Sequence, residues 1–223
     1  MSTYGWVLIF TIVGPLALSF DKKVHFYTYF IPLFKAIIPV AVFFLLWDSF
    51  FTHNQIWGFN QEYLAKFYVY NLPIEEVLFF FLVPYACIFI YEVIIAYFPG
   101  LNLNRFANIM SYILLVCGLL MLVSGIGNWY TSSACAIGCC LILYTGIINK
   151  KPWYPFFILS FIVALIPFVI VNGVLTGAIT ENPIVWYSSN HILGLRIITI
   201  PVEDIYYNLS MLLPIVWIYE RLK

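Results

Sequence analysis

A chain of 223 residues with 64% hydrophobic and only 9% charged is not an ordinary soluble domain, where charged residues approach a quarter. Ten Lys+Arg balance ten Asp+Glu, so there is no basic excess to attract nucleic acid and no acidic tail to suggest disorder. A mean hydropathy of +0.98, spread over long and nearly continuous apolar runs, excludes a soluble enzyme and lacks the alternation of a transmembrane β-barrel, which leaves a polytopic all-α integral membrane protein.

A membrane-crossing helix needs ~20 apolar residues. On that measure seven spans are predicted, at about 4–20, 28–47, 70–97, 106–124, 129–148, 153–172 and 197–219. Pro15, Pro39, Pro84 and Pro167 fall inside them, which membrane helices tolerate when neighbours satisfy the freed carbonyls. The first span has no basic residue before it and Lys22-Lys23 after it, the charge order of a retained helix with its N-terminus outside rather than of a signal peptide. Lys22, Lys23, Arg105, Lys150, Lys151, Arg221 and Lys223 then share one side, against Lys66 and Arg196 on the other. This positive-inside bias predicts a cytoplasmic C-terminus and two outward loops, at roughly 48–69 and 173–196.

Shifting the chain by 128 residues, from Asp21 to Asn149, aligns Asp21-Lys22-Lys23 with Asn149-Lys150-Lys151 and Ala36-x-Ile38-Pro39 with Ala164-x-Ile166-Pro167. The same register aligns Pro73-Ile74-Glu75-Glu76-Val77 with Pro201-Val202-Glu203-Asp204-Ile205, and Ile90-Tyr91-Glu92 with Ile218-Tyr219-Glu220. The predicted organisation is a three-helix repeat over 1–98, a connecting helix over 99–127 and a second three-helix repeat over 128–223. Four crossings separate equivalent helices, so the copies are parallel, and both acid pairs lie at the outer ends of helices 3 and 7.

Ionisable residues at membrane depth are costly and point to function. Glu75-Glu76 and Glu203-Asp204 each follow a proline suited to a first helical turn. Adjacent helical residues diverge by ~100°, so one carboxylate of each pair is expected in a shared pocket with its neighbour beside it. Four acids in a low dielectric, with Arg196 five residues before Pro201, cannot all stay ionised, which leaves a proton available for chemistry. The plainer expectation is that Glu75 and Glu203 cap helices at a wet interface; duplication of the pair argues against it.

Tyr68, Tyr70, Phe79, Phe80, Phe81, Tyr206 and Tyr207 crowd the acids, with Trp47, Trp57 and Trp186 in the preceding segments. Trp57 and Trp186 read as an interfacial belt. Phe79, Phe80 and Tyr207 lie within a turn of the acids and are candidates for π-faces that stabilise a carbocation. Asp48 and Asn172 are secondary polar candidates, either bonding the acids or ending helices. Glu92 and Glu220 recur at the inner ends beside Arg221, in a solvated or paired structural role. His25, His53 and His191 are scattered and make no metal site. Cys87, Cys117, Cys135, Cys139 and Cys140 read as small embedded side chains without a zinc spacing or a disulfide framework. Gly125-x-Gly127 lacks the βαβ context of a dinucleotide site. Helix 7 has no mid-span lysine for a retinal Schiff base.

At Pro73-Ile74-Glu75-Glu76-Val77-Leu78-Phe79-Phe80 and Pro201-Val202-Glu203-Asp204-Ile205-Tyr206-Tyr207, the sequence resembles the heterodimer-type lycopene cyclases, the lycopene cyclase domain family, here as a fused tandem repeat. Gly194-Leu195-Arg196-Ile197 also looks like the family pattern, whereas Asp204 and Tyr206-Tyr207-Asn208 depart from it. The resemblance implies an isomerase (intramolecular lyase) that closes the acyclic ends of lycopene into β-ionone rings, towards β-carotene, with no net redox change and no cofactor. It implies lycopene drawn from the lipid bilayer as substrate, membrane lipids as surroundings, association with other carotenoid-pathway enzymes, and a bacterial-type plasma membrane. Glu75 or Glu76 with Glu203 are the expected acid and base, tuned by Arg196 and Asp204. The alternative is a membrane proton- or cation-coupled transporter that uses the duplicated carboxylates as a relay.

Overall fold

The computed structural model describes residues 2–223 and is all-α. Among the described residues there are seven α-helices: α1 (Thr3–Leu18), α2 (Phe30–His53), α3 (Ile74–Tyr97), α4 (Asn104–Ser124), α5 (Trp129–Ile142), α6 (Tyr154–Leu175) and α7 (Glu203–Leu222). Six short strands punctuate the outer loops: β1 (Trp57–Phe59), β2 (Tyr68–Val69), β3 (Leu72–Pro73), β4 (Val185–Tyr187), β5 (Arg196–Ile197) and β6 (Ile200–Pro201). Five helical segments are long and apolar enough to cross a membrane: Phe26–His53, Ile74–Tyr97, Asn104–Ser124, Trp129–Ile148 and Tyr154–Leu175. This is two fewer than the sequence predicts. α1 has 16 residues, or ~24 Å of helix against a ~30 Å hydrocarbon core, and α7 carries Glu203, Asp204, Glu220 and Arg221 within its length.

Several helix boundaries differ from those expected. Expected to begin at about 70 and 197, α3 and α7 begin at Ile74 and Glu203. Leu72 and Ile200 each precede a proline, whose ring disfavours helical backbone in the residue before it. Residues 68–73 and 196–201 therefore fold as tight hairpins that feed the chain into each helix. α2 runs on to His53 rather than stopping near 47, which places Asp48 inside a helix instead of at its end. α5 continues into a wider π turn at Leu143–Ile148, where Gly146 leaves room for the Tyr154 ring.

The 128-residue offset of the sequence reappears in the backbone. Tyr68 pairs with Pro73 and Val69 with Leu72, while Arg196 pairs with Pro201 and Ile197 with Ile200. Left-handed conformations recur at Lys66 and Gly194 (φ 64° and 79°) and at Tyr70 and Ile198 (φ 58° and 59°). β1 and β4 pair antiparallel about Gly58 and Trp186, themselves equivalent positions, so the contact is self-complementary as at a two-fold axis. Gly58 is required there because a Cβ would run into the Trp186 indole.

The helices interlock. α1 lies on α3 and α5 on α7, while α2 packs against α7 and α6 against α3, and α4 lies against α5 and α6. Small residues permit the closest approaches: a Cβ on Gly138 of α5 would lie 3.1 Å from the Tyr206 ring, and Gly118 of α4 sits against Cys139 and Tyr206. The five cysteines are free, and Cys135 and Cys139 are buried in these seams.

At the inner end the two acids predicted to recur make reciprocal bonds: the Tyr91 phenol donates to Glu220 at 2.9 Å, and Tyr219 donates to Glu92 at 2.9 Å. The cation beside them is Lys223, whose Nζ donates to both Glu92 oxygens at 2.7 and 2.8 Å, while Arg221 lies over the Trp217 ring at 5.2 Å. Glu92 is buried, so Glu92→Ala strands both the ammonium and a phenol. The variant is expected to lose about 2–4 kcal/mol of stability. Denaturant titration in detergent micelles checks this, and an unchanged midpoint would mean that the reciprocal bonds contribute nothing to the fold.

Candidate functional site: a carboxylate-lined cavity

Each acid pair occupies the first turn of its helix, immediately after an extended proline. The ~100° step between neighbours sends the two members of a pair to different places. Glu75 Oε1 accepts from the Ser2 hydroxyl and, at 2.7 Å, from the Ala65 N–H. Glu203 Oε1 accepts from the Thr131 hydroxyl at 2.7 Å and the Leu193 N–H at 2.6 Å. Ala65 and Leu193 are 128 residues apart, so the two acids act alike, each tying the start of a helix to the outer loop over it. The second oxygen of each is buried without a protein partner.

Glu76 and Asp204 instead line a cavity of about 60 Å³ between the helices, together with Asp48. A space of that size holds a few water molecules at most. All three acids are buried, at 9%, 5% and 1% exposed respectively. An aromatic donor holds each of them. Tyr4 donates to Glu76 Oε2 at 2.6 Å, and Trp57 Nε1 donates to Asp48 Oδ1. Tyr130 donates to Asp204 Oδ1 at 2.5 Å and Tyr187 to Oδ2 at 3.0 Å. Burial and the neighbouring Asp204 push the Tyr187 phenol in the outer loop well above the ordinary tyrosine value, so it remains a donor at neutral pH. Asp48 Oδ2 and the Tyr207 phenol are buried in the cavity wall with no protein partner.

Among the described residues no cation balances these charges. Arg196 is exposed and donates to the Thr199 carbonyl within its own hairpin, and the ion pair found among the described residues is Glu92–Lys223 at the far end. Three carboxyl groups gathered in one small buried cavity without a counter-ion oppose one another's ionisation. The surrounding π-faces are dense. Tyr207 has ring centroids at 5.0 Å from Phe44, 5.3 Å from Trp47, 5.7 Å from Trp57 and 5.9 Å from Tyr130, and Tyr130 stacks on Tyr187 at 5.7 Å.

Of the residues selected from sequence, the cavity gathers Glu76, Asp204, Asp48, Phe79, Tyr207 and Asn172. Glu75 and Glu203 lie one step away, facing the loops, and Arg196 is at the surface. Phe80 is packed in the core against Phe44, with ring centroids 6.1 Å apart, rather than in the cavity wall. Tyr206 is buried away from the cavity and donates to the Leu114 carbonyl of α4 at 2.7 Å, whereas Tyr68 and Tyr70 are exposed. Trp57, expected in an interfacial belt, is 4% exposed and bound to Asp48, because its strand pairs with β4 directly over the cavity. Trp186, by contrast, is exposed.

Tyr4, Tyr130 and Tyr187 escaped sequence reasoning, as did Ser2 and Thr131. For all but Tyr187, which lies in β4, the signal was present as hydroxyl side chains opening helices 1 and 5, but their order differs: Ser2 precedes Tyr4, whereas Tyr130 precedes Thr131. The 128-residue register therefore does not align them.

No curated protein and no solved structure matches the chain. A family model described as lycopene cyclase matches it over residues 1–94 and 127–222, the two segments that carry the acid pairs and flank α4. On that match, covering most of its length, the chain belongs to the lycopene cyclase family.

Proposed function

We propose that this membrane protein closes the acyclic ends of lycopene into β-ionone rings, towards β-carotene, by carboxyl acid–base catalysis. The observation that carries the reading is the set of three buried carboxyl groups, each held by an aromatic donor, around one small cavity with no cation in it among the described residues. One of Glu76 and Asp204 gives its proton to the terminal double bond. The resulting tertiary cation is attacked by the next double bond, and the other carboxylate removes a ring proton. One proton enters and one leaves, no electrons are exchanged, and the reaction is an isomerisation.

Each neighbour has a part in this scheme. Tyr4 orients Glu76, and Tyr130 with Tyr187 holds Asp204. The faces of Trp57, Phe79 and Tyr207 stabilise the cation by their quadrupoles. Asp48 supplies a third negative field beside it. Glu75 and Glu203 hold the outer loops closed over the cavity, which keeps water from capturing the cation. The architecture that accompanies this chemistry is seven membrane-embedded helices, with parallel repeats at 1–98 and 128–223 joined by α4. The N-terminus and both hairpins lie outside and the basic inner loops lie in the cytoplasm. Support comes from the recurring registers and from the distribution of Lys and Arg.

Expression in a lycopene-accumulating host, followed by chromatography of the extracted pigment, tests the reading. Monocyclic or bicyclic product is expected. Unchanged lycopene in cells whose membranes contain the folded protein would overturn it.

A further inference from the structure

Beside the acid cavity lies a second, larger one of about 520 Å³, almost wholly apolar, bounded by α1, α3 and α6. Phe10 and Ile170, which line it, are 76% and 66% exposed, so it opens on the lateral surface that lipid would cover. Val83, Phe168, Asn172 and Asn208 line both spaces, so the groove lies directly against the acid cavity. Asn208 is only 5% exposed, and with Asn172 it is one of two amide side chains at the shared boundary of the two spaces.

The opposite side of the molecule is built differently at the equivalent positions. The positions 128 residues away from Asn172 and Asn208 are Phe44 and Phe80, which are 2% and 1% exposed and packed ring against ring. Met211 stands where the open side has Val83, and it too is buried. The repeat is thus broken at the one place where symmetry would have provided two doors.

Resting on the cyclase reading, we infer that this groove seats the stem of a linear polyene, with Asn172 and Asn208 forming the throat that leads to the acids. A two-ended substrate is therefore processed one end at a time, withdrawing and returning reversed between rings. The amide N–H groups at the throat can rest on the π-face of a conjugated chain, an interaction that a saturated acyl chain does not offer. The lining that the groove shares with the acid cavity also sets one end of its occupant beside the acids.

The test uses purified full-length protein in lipid nanodiscs with lycopene, read in two ways. Lycopene is achiral, so visible circular dichroism reports binding, and pigment analysis under single-turnover conditions reports product. Glu76→Gln serves as the background for binding, which separates binding from chemistry. The paired substitution Asn172→Phe and Asn208→Phe copies the closed side and is expected to reduce both signals by about tenfold or more. Thr11→Trp, on the groove wall of α1, is expected to do the same and decides the matter if the paired variant does not fold. Ile166→Trp, on α6 outside the groove, should leave both unchanged. Monocyclic product should rise and fall ahead of bicyclic product. Folded plug variants that bind and cyclise as wild type overturn the proposal. So does equal competition from a saturated hydrocarbon of the same length, or bicyclic product without a monocyclic precursor. Groove-dependent binding without cyclisation leaves the seat standing and instead removes the catalytic reading.

Discussion

Glu76→Gln and Asp204→Asn are each expected to reduce cyclisation by about 10²–10⁴-fold, the range typical for removing a general acid or base. Glu76→Gln keeps the oxygen that receives Tyr4, and Asp204→Asn keeps the one that receives Tyr130 while its new amide N–H can donate to the Tyr187 oxygen, so folding should be preserved while the transferable proton is lost. Combining them should cost little more than the worse single variant, because groups that act as one unit are not additive. Glu75→Gln and Glu203→Gln should retain at least about a tenth of wild-type turnover, since their side chains face the loops and neither lines the cavity. Rates from purified enzyme in nanodiscs discriminate the two sets. If the outer pair proves essential while the inner pair is dispensable, the assignment of acid and base is reversed.

The second large effect concerns stability rather than chemistry. Glu203→Ala removes the acceptor for both the Thr131 hydroxyl and the Leu193 N–H at a site with no solvent exposure, which is expected to cost about 2–4 kcal/mol. Glu203→Gln keeps Oε1 in place for both donors and should cost about 1 kcal/mol or less. The comparison isolates anchoring from ionisation: unfolding of the two variants in detergent should differ clearly, whereas a purely catalytic role would leave their midpoints equal. Activity should follow stability here, because a loop that lifts away opens the cavity to water.

These two experiments separate residues adjacent in sequence, and the reason is geometric. The motif Pro-x-Glu-Glu announces that two acids open a buried helix, but which of them turns inward depends on how the helix is rotated against its neighbours. That rotation is decided by packing of α3 on α6 and of α7 on α2, contacts made across the whole chain length. Tyr4 and Tyr130 reach their acids from helices 72 and 74 residues away, and no local pattern connects them. Trp57 looked like an interfacial residue for the same reason: nothing near it in sequence reveals that β1 will pair with β4 and bring the indole to Asp48.

Taken alone, the amino-acid string was enough to establish an all-helical chain with apolar helices of membrane-spanning length, a 128-residue recurrence and two acid pairs that recur with it, because apolar run length and repeated Pro and Glu are properties of the chain itself. Of the seven spans expected, five are long and apolar enough in the structure to cross a membrane, because α1 has 16 residues and the run before α7 is broken by a hairpin. Packing alone turned Glu76 and Asp204 rather than their neighbours into the cavity, supplied their tyrosine donors and set Phe44 against Phe80. Burial and contact between distant helices depend on the assembled bundle, and they decide where a dry, negatively charged cavity can exist.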